Sequence, residues 1–186
     1  MSLMQERETR LGTSSIRRVA ALMILLFITL PVLILVYVHT KVGVNPLSAG
    51  EKLPSVRLTP VSGTWDGVDS IRESKAVALI FNAECPHCIM MLYRLNWLNR
   101  RYADKIRFVG ISLSPADTTR NLVLDCKLTF PVYIAQDDEI RKKFRISLVP
   151  AMIFLDSNLV IRHQIAGEVS EKVVEQALRA LIREKR

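Results

Sequence analysis

Between Lys75 and Asn82 the chain runs KAVALIFN, and shortly after it reaches Cys85-Pro86-His87-Cys88 at the head of a helical pattern that continues to Tyr102. A strand apolar on both of its alternating faces has to be covered on both sides, which is the condition of a central strand flanked by helices. From Pro86 the apolar positions Ile89, Leu92, Tyr93, Leu95, Leu98 and Tyr102 recur at near-helical spacing, with Arg94, Asn99, Arg100 and Arg101 elsewhere. This order places Cys85 at a helix N-terminus, where unpaired backbone N–H groups and the macrodipole favour an anion. For a cysteine that anion is the thiolate, its reactive form. Cys88, one turn further, is placed to close a disulfide with it. The strand–turn–helix context makes the C-x-x-C a redox motif.

The same spacing is half of a zinc knuckle, which needs two more ligands. Cys126, His87, His39 and His163 are available, and none lies at a second knuckle spacing. The residues around the pair are candidate tuners. His87, as imidazolium, would stabilise a Cys85 thiolate and make the disulfide a better oxidant. Glu84 would act the other way, since a neighbouring carboxylate raises a thiol pKa. Cys126, in Leu122–Leu128, reads as a buried small hydrophobe. Met90 and Met91 read as core, and His163 as an exposed strand residue.

From Val19 to Val38 there is no charged residue. Twenty helical residues span roughly 30 Å, the thickness of a bilayer's hydrocarbon core. Arg7, Arg10, Arg17 and Arg18 precede this run and Lys41 follows it. That asymmetry predicts a cytoplasmic tail over 1–18, a transmembrane anchor over 19–38, and an extracytoplasmic, periplasmic remainder. The alternative is a cleaved signal peptide, but His39-Thr40-Lys41-Val42 offers no A-x-A site. Three cysteines do not describe a disulfide-stapled scaffold. The net charge of +8 includes no Lys/Arg block interleaved with aromatics, so nucleic acid is not an expected partner.

The turn formers Gly43, Asn45, Pro46, Ser48, Ala49 and Gly50 mark 39–53 as a linker, leaving 54–186 as the folded domain. Arg57–Thr59 and Gly63–Trp65 are read as a short hairpin. Ile106–Leu113 is strand-like and Pro115–Leu128 suits a helix. Pro131–Ala135 is a short strand and Asp138–Phe144 a short helix. Ala151–Leu155 and Val160–Ile165 form two strands about an Asp156-Ser157-Asn158 turn. Ser170 is a candidate N-cap for a final amphipathic helix carrying Val173, Val174, Ala177, Leu178, Leu181 and Ile182. The order predicts an α/β three-layer fold with a central parallel sheet closed by an antiparallel hairpin and a helix.

With FNAECPHC at the active-site turn and Val149-Pro150 directly before the AMIFL strand, the domain resembles thioredoxin-fold proteins. More narrowly, it is similar to the membrane-anchored TlpA/ResA-like thiol–disulfide oxidoreductases. Gly50, Pro54, Leu58 and Gly63 match that family's opening hairpin. Phe130-Pro131-Val132 with Asp137–Phe144 matches its insertion, and Gly167 the glycine that closes its hairpin. The resemblance implies a thioredoxin-like three-layer α/β/α domain with an N-terminal hairpin. It also implies a cis peptide before Pro150, with Val149 and Pro150 docking an extended substrate chain. Three departures stand out. Glu84 replaces a usual Trp, Met91 replaces an acidic residue, and Leu79 and Ile80 occupy the strand where thioredoxins bury a carboxylate. The Pro86-His87 dipeptide is that of DsbA-like oxidants.

The function expected is disulfide exchange with exported proteins, for instance in cytochrome c or metal-site maturation. Cys85 attacks and Cys88 resolves. No cofactor is needed, since the electrons sit on the sulfurs, and a membrane redox partner recycles the pair. Reduction of substrates is favoured over disulfide formation. A peroxidase P-x-x-x-T-x-x-C pattern would need Pro at Ala78 and Thr at Asn82. From another class, a copper-binding assembly factor would join two cysteines and His163.

Overall fold

The computed structural model describes residues 22–34, 47–61, 74–135 and 137–184. Two units are distinguished, one ending at Val44 and one spanning Asn45–Arg186. Within the first, 22–34 form helix α1, whose side chains are all exposed. Among the described residues no helix is long and apolar enough to cross a membrane. The remainder of the expected 19–38 span, like the 1–18 tail, lies outside the described residues.

The second unit is built on a six-stranded sheet. In chain order its elements are β1 (Thr59–Pro60), β2 (Ala76–Phe81), α2 (Pro86–Tyr102), β3 (Arg107–Ser112) and α3 (Ala116–Asp125). Then come β4 (Val132–Ile134), α4 (Asp137–Lys143), β5 (Ala151–Leu155), β6 (Ile161–Ala166) and α5 (Glu171–Arg183). The spatial order of strands is β1-β4-β3-β2-β5-β6. β2, β3 and β4 run parallel, while β5 pairs antiparallel with β2 and β6 antiparallel with β5. This is the expected parallel centre closed by an antiparallel hairpin.

The period-2 alternation of β2 divides the core in two. Val77, Leu79 and Phe81 face Met91, Leu92, Leu95 and Leu98 of α2 and Val174, Leu178 and Leu181 of α5. Ala76, Ala78 and Ile80 face Leu47, Ile140, Phe144 and Ile146 on the other side. All six β2 residues are buried, which is why the strand carries no polar position. Gly110 of β3 is closely enclosed. A Cβ there would lie 3.1 Å from Val132 Cγ2 and 3.2 Å from Phe81 Cε1.

At the N-terminal edge, Thr59 and Pro60 lie antiparallel to Ile134 and Tyr133 of β4. A two-residue strand has too little alternation to reveal its partner in sequence. The Gly63–Trp65 half of the hairpin expected with Arg57–Thr59 lies outside the described residues. The expected 39–53 linker is corrected, because its last residues belong to the folded unit. Leu47 is buried, Gly50 N–H donates to Ile161 O (2.8 Å), Ile161 N–H to Glu51 O (2.8 Å), and Leu53 N–H to Leu159 O (2.8 Å). Residues 50–53 thus cover the first part of the β6 edge. Gly50, at φ +94°, makes the turn into it where a side chain would be strained.

Candidate active site

β2 delivers Phe81 to the carboxyl edge of the parallel strands, and the turn Asn82–Glu84 leads into α2. Cys85 is the N-cap residue, extended at φ −87°, and Pro86 opens the helix, where its missing N–H costs nothing. Cys85 is half-buried, whereas Cys88 is completely buried. All three cysteines are free thiols. The Cys88 thiol is pushed up from 9.0 to about 12, first by burial. The Asn82 N–H, 3.5 Å from Cys88 Sγ, opposes this, while the hydrogen bond and charge shared with Cys85 add to it. Cys85 is thus reachable from solvent, while Cys88, one turn further into the helix, is held protonated.

A polar cluster supports the turn. Asn82 Oδ1 accepts from the Glu84 N–H (2.8 Å) and from Ser114 Oγ (3.1 Å), and Ser114 Oγ in turn accepts from the Ala83 N–H (2.9 Å). Behind it, Ser112 Oγ and Thr119 Oγ1 are 2.7 Å apart, and Ser112 Oγ accepts the Ser114 N–H. Ser112, Ser114 and Thr119 are all buried. Buried hydroxyls in a core of this kind persist because each is hydrogen-bonded. They tie the ends of β2 and β3 and the start of α3 into one rigid seat for the thiols.

On the other side of β2, Ile80 pairs with Ala151, so the preceding Val149-Pro150 lies beside the end of β2 that leads to Cys85. The Val149–Pro150 peptide is cis. The Pro150 carbonyl accepts the N–H of Gly167 (2.7 Å), a residue at φ +85°. Among the described residues the amide and carbonyl of Val149 have no main-chain partner. This short main-chain edge is left open beside the turn that carries Cys85. Leu148, beside them, is exposed.

The structure places the two candidate tuners differently. Glu84 is exposed on the turn. His87 is exposed too, but its Nδ1 lies 2.6 Å from Glu168 Oε2. Glu168 Oε1 lies 2.7 Å from Arg94 Nη2, and Arg94 Nη1 donates to Val169 O (2.7 Å). The bond to His87, then the bond to Arg94, holds the Glu168 carboxyl below the usual range. Sequence reasoning missed Glu168, Arg94, Asn82 and Ser114. Nothing in a separation of 81 residues announces that His87 meets Glu168.

The remaining candidates fall outside this constellation. Cys126 is buried against α2 more than a turn beyond Cys88, its carbonyl 3.5 Å from Asn96 Nδ2. The Cys126 thiol nearby holds the Tyr93 phenol above its ordinary range. Met91 is core as expected, but Met90 is exposed. The inward stripe of α2 runs through Cys88, Met91, Leu92, Leu95, Asn96, Leu98, Asn99 and Tyr102, which turns Met90, Tyr93 and Trp97 outward. His163 pairs with Phe154, and their rings lie 5.7 Å apart, tilted by 49°. It lies about 10 Å along the strand from Ala151. Among the described residues no three His, Cys, Asp or Glu side chains are grouped to hold a metal.

A model of the AhpC/TSA family matches residues 49–164. The thioredoxin-like protein YneN of Bacillus subtilis (strain 168) is 24% identical over 146 residues, covering 76% of this chain and 84% of YneN. Among solved structures, a thiol-disulfide isomerase from Corynebacterium glutamicum aligns with a TM-score of 0.64 at 19% identity, over 72% of this chain and 98% of that one. StoA from Bacillus subtilis aligns with a TM-score of 0.58 at 18% identity, over 68% of this chain and 98% of StoA. The architecture is that of a thioredoxin-like α/β domain.

Proposed function

The chain belongs to the AhpC/TSA family, and we propose that it is a thiol–disulfide oxidoreductase whose Cys85–Cys88 pair reduces disulfides of exported proteins. One observation carries the reading. A half-exposed Cys85 caps the N-terminus of α2 while Cys88, one helical turn further along, lies fully buried. The peroxidase pattern fails at Ala78 and Asn82, and Asn82 is committed instead to holding the turn.

In the reductive direction the Cys85 thiolate attacks one sulfur of the substrate disulfide, forming a mixed disulfide and releasing the first substrate thiolate. Cys88 then attacks Cys85 Sγ. The Cys85–Cys88 bond forms, the mixed disulfide breaks, and the proton of Cys88 leaves on the second substrate sulfur. Two electrons and that proton pass to the substrate, and water supplies the proton for the first thiolate. A dithiol protein, a membrane redox partner in this reading, returns the pair to the reduced state. A high pKa for Cys88 suits a resolving thiol, because it stays out of the first attack. The substrate chain lies along the free edge of Val149, against Pro150.

An extracytoplasmic location fits the basic residues before the apolar 19–38 segment. Helix α1 carries no charged residue, in keeping with membrane attachment in this reading. Cytochrome c or metal-site maturation remains the substrate class proposed. The Cys88→Ala variant, incubated with a disulfide-bonded substrate protein, tests the mechanism. It should accumulate a mixed disulfide through Cys85, and Cys85→Ala should accumulate none. Equal trapping by the two variants would refute the assignment of attacker and resolver.

A further inference from the structure

His87, between the two thiols, would by itself push the couple toward an oxidant, because an imidazolium stabilises the neighbouring thiolate. The structure does not leave it by itself. Its Nδ1 is bound at 2.6 Å by Glu168, and the charged groups facing it are Glu168 and, through that carboxylate, Arg94 of α2. Glu84, on the turn before it, is exposed and enters no ion pair among those described. Glu168 follows Gly167, whose N–H is fastened to the Pro150 carbonyl. The carboxylate is therefore held in place at both ends, by the proline loop and by Arg94, against the first turn of α2.

We propose that Glu168 is a positioning residue that limits the oxidising power of the Cys85–Cys88 couple, by setting a fixed negative charge against His87 beside the thiols. This inference rests on the oxidoreductase reading above and gives a physical cause for its reductive direction: the carboxylate offsets what the Pro-His dipeptide would do, and the pair is kept a reductant. With the imidazole in the same protonation state, the wild-type trio of His87, Glu168 and Arg94 presents one unit of positive charge fewer to the thiolate than the same trio without its carboxylate. Removing that charge stabilises the reduced, thiolate form, so the disulfide becomes easier to reduce.

The test compares the full chain with its Glu168→Gln and Glu171→Gln variants. Each is equilibrated with glutathione buffers at pH 7, and the Cys85–Cys88 disulfide is quantified by alkylation and mass. Glu171 opens α5 nearby, so its variant controls for generic loss of an acidic charge. Glu168→Gln should shift the equilibrium toward the dithiol on the order of fivefold, about 20 mV at 29.6 mV per decade. Cys85 alkylation should move to lower pH, and Glu171→Gln should do neither to a comparable extent. A normal wild-type couple with Glu168→Gln unshifted, shifted toward the disulfide, or matched by Glu171→Gln overturns this inference and leaves the oxidoreductase reading standing. Failure of the wild type to form the disulfide at any poise overturns that reading, and the inference with it.

Discussion

Replacing Asn82 separates two contributions that the turn combines. Its Oδ1 accepts from the Glu84 N–H at 2.8 Å and from Ser114 Oγ at 3.1 Å. In Asn82→Ala both bonds are lost. A neutral hydrogen bond contributes about 0.5–1.5 kcal/mol net, and an exposed Glu84 can turn its N–H to water, so the loss should be roughly 1–2 kcal/mol. For a domain of this size that lowers the melting temperature by about 4–6 °C. Asn82→Asp keeps an acceptor facing two donors, so its melting temperature should stay close to wild type. Its carboxylate, however, sits beside the thiols and should move Cys85 alkylation to higher pH. The assays are thermal unfolding of the reduced full chain by circular dichroism, and iodoacetamide labelling against pH. If the Ala and Asp variants lose equal stability, the acceptor role of Oδ1 is wrong.

Asn96, almost fully buried, accepts the Thr129 N–H and hydroxyl (both 2.8 Å) and donates to Lys127 O (3.0 Å). Asn96→Ala should cost about 2–3 kcal/mol in urea unfolding, because it strands groups where Lys127 is held at φ +47°. Cys88, with its pKa raised by burial to about 12, keeps its proton in the folded chain while an unfolded thiol of ordinary pKa 9.0 releases it. Its contribution to stability is therefore complete below about pH 9 and is lost as pH rises toward 12. The alkaline fall in melting temperature should be shallower in Cys88→Ala, and in the native wild type at pH 8 iodoacetamide should label Cys85 but not Cys88.

The parts of the fold legible in the sequence were those with a long, clean pattern. KAVALIFN became a fully buried central strand, and the periodicity from Pro86 to Tyr102 became α2. The phase of that helix was less legible. Tyr93 looked like part of the inward stripe, yet it faces outward with Met90 and Trp97 while Asn96 and Asn99 are buried. Those asparagines are inside because they bind the backbone and side chains of Lys127 and Thr129, partners no helical pattern encodes. Ser170 occupies the N-cap position of α5 as expected, without a capping bond from its side chain. At the site, the adjacent Cys85 and Cys88 could be read directly. The Asn82–Ser114 support and the His87–Glu168–Arg94 chain could not, because tertiary folding brings together residues on separate strands, loops and helices.

The reduction potential of the Cys85–Cys88 couple in the full chain is the most direct test of the central claim. Equilibrated against dithiothreitol and glutathione buffers, the pair should show a potential near −270 mV or below, in the range of a thioredoxin-like reductant. A potential near −120 mV, the range of a strong oxidant, would contradict the reductive direction. A pair that forms no disulfide at any poise would contradict the function itself.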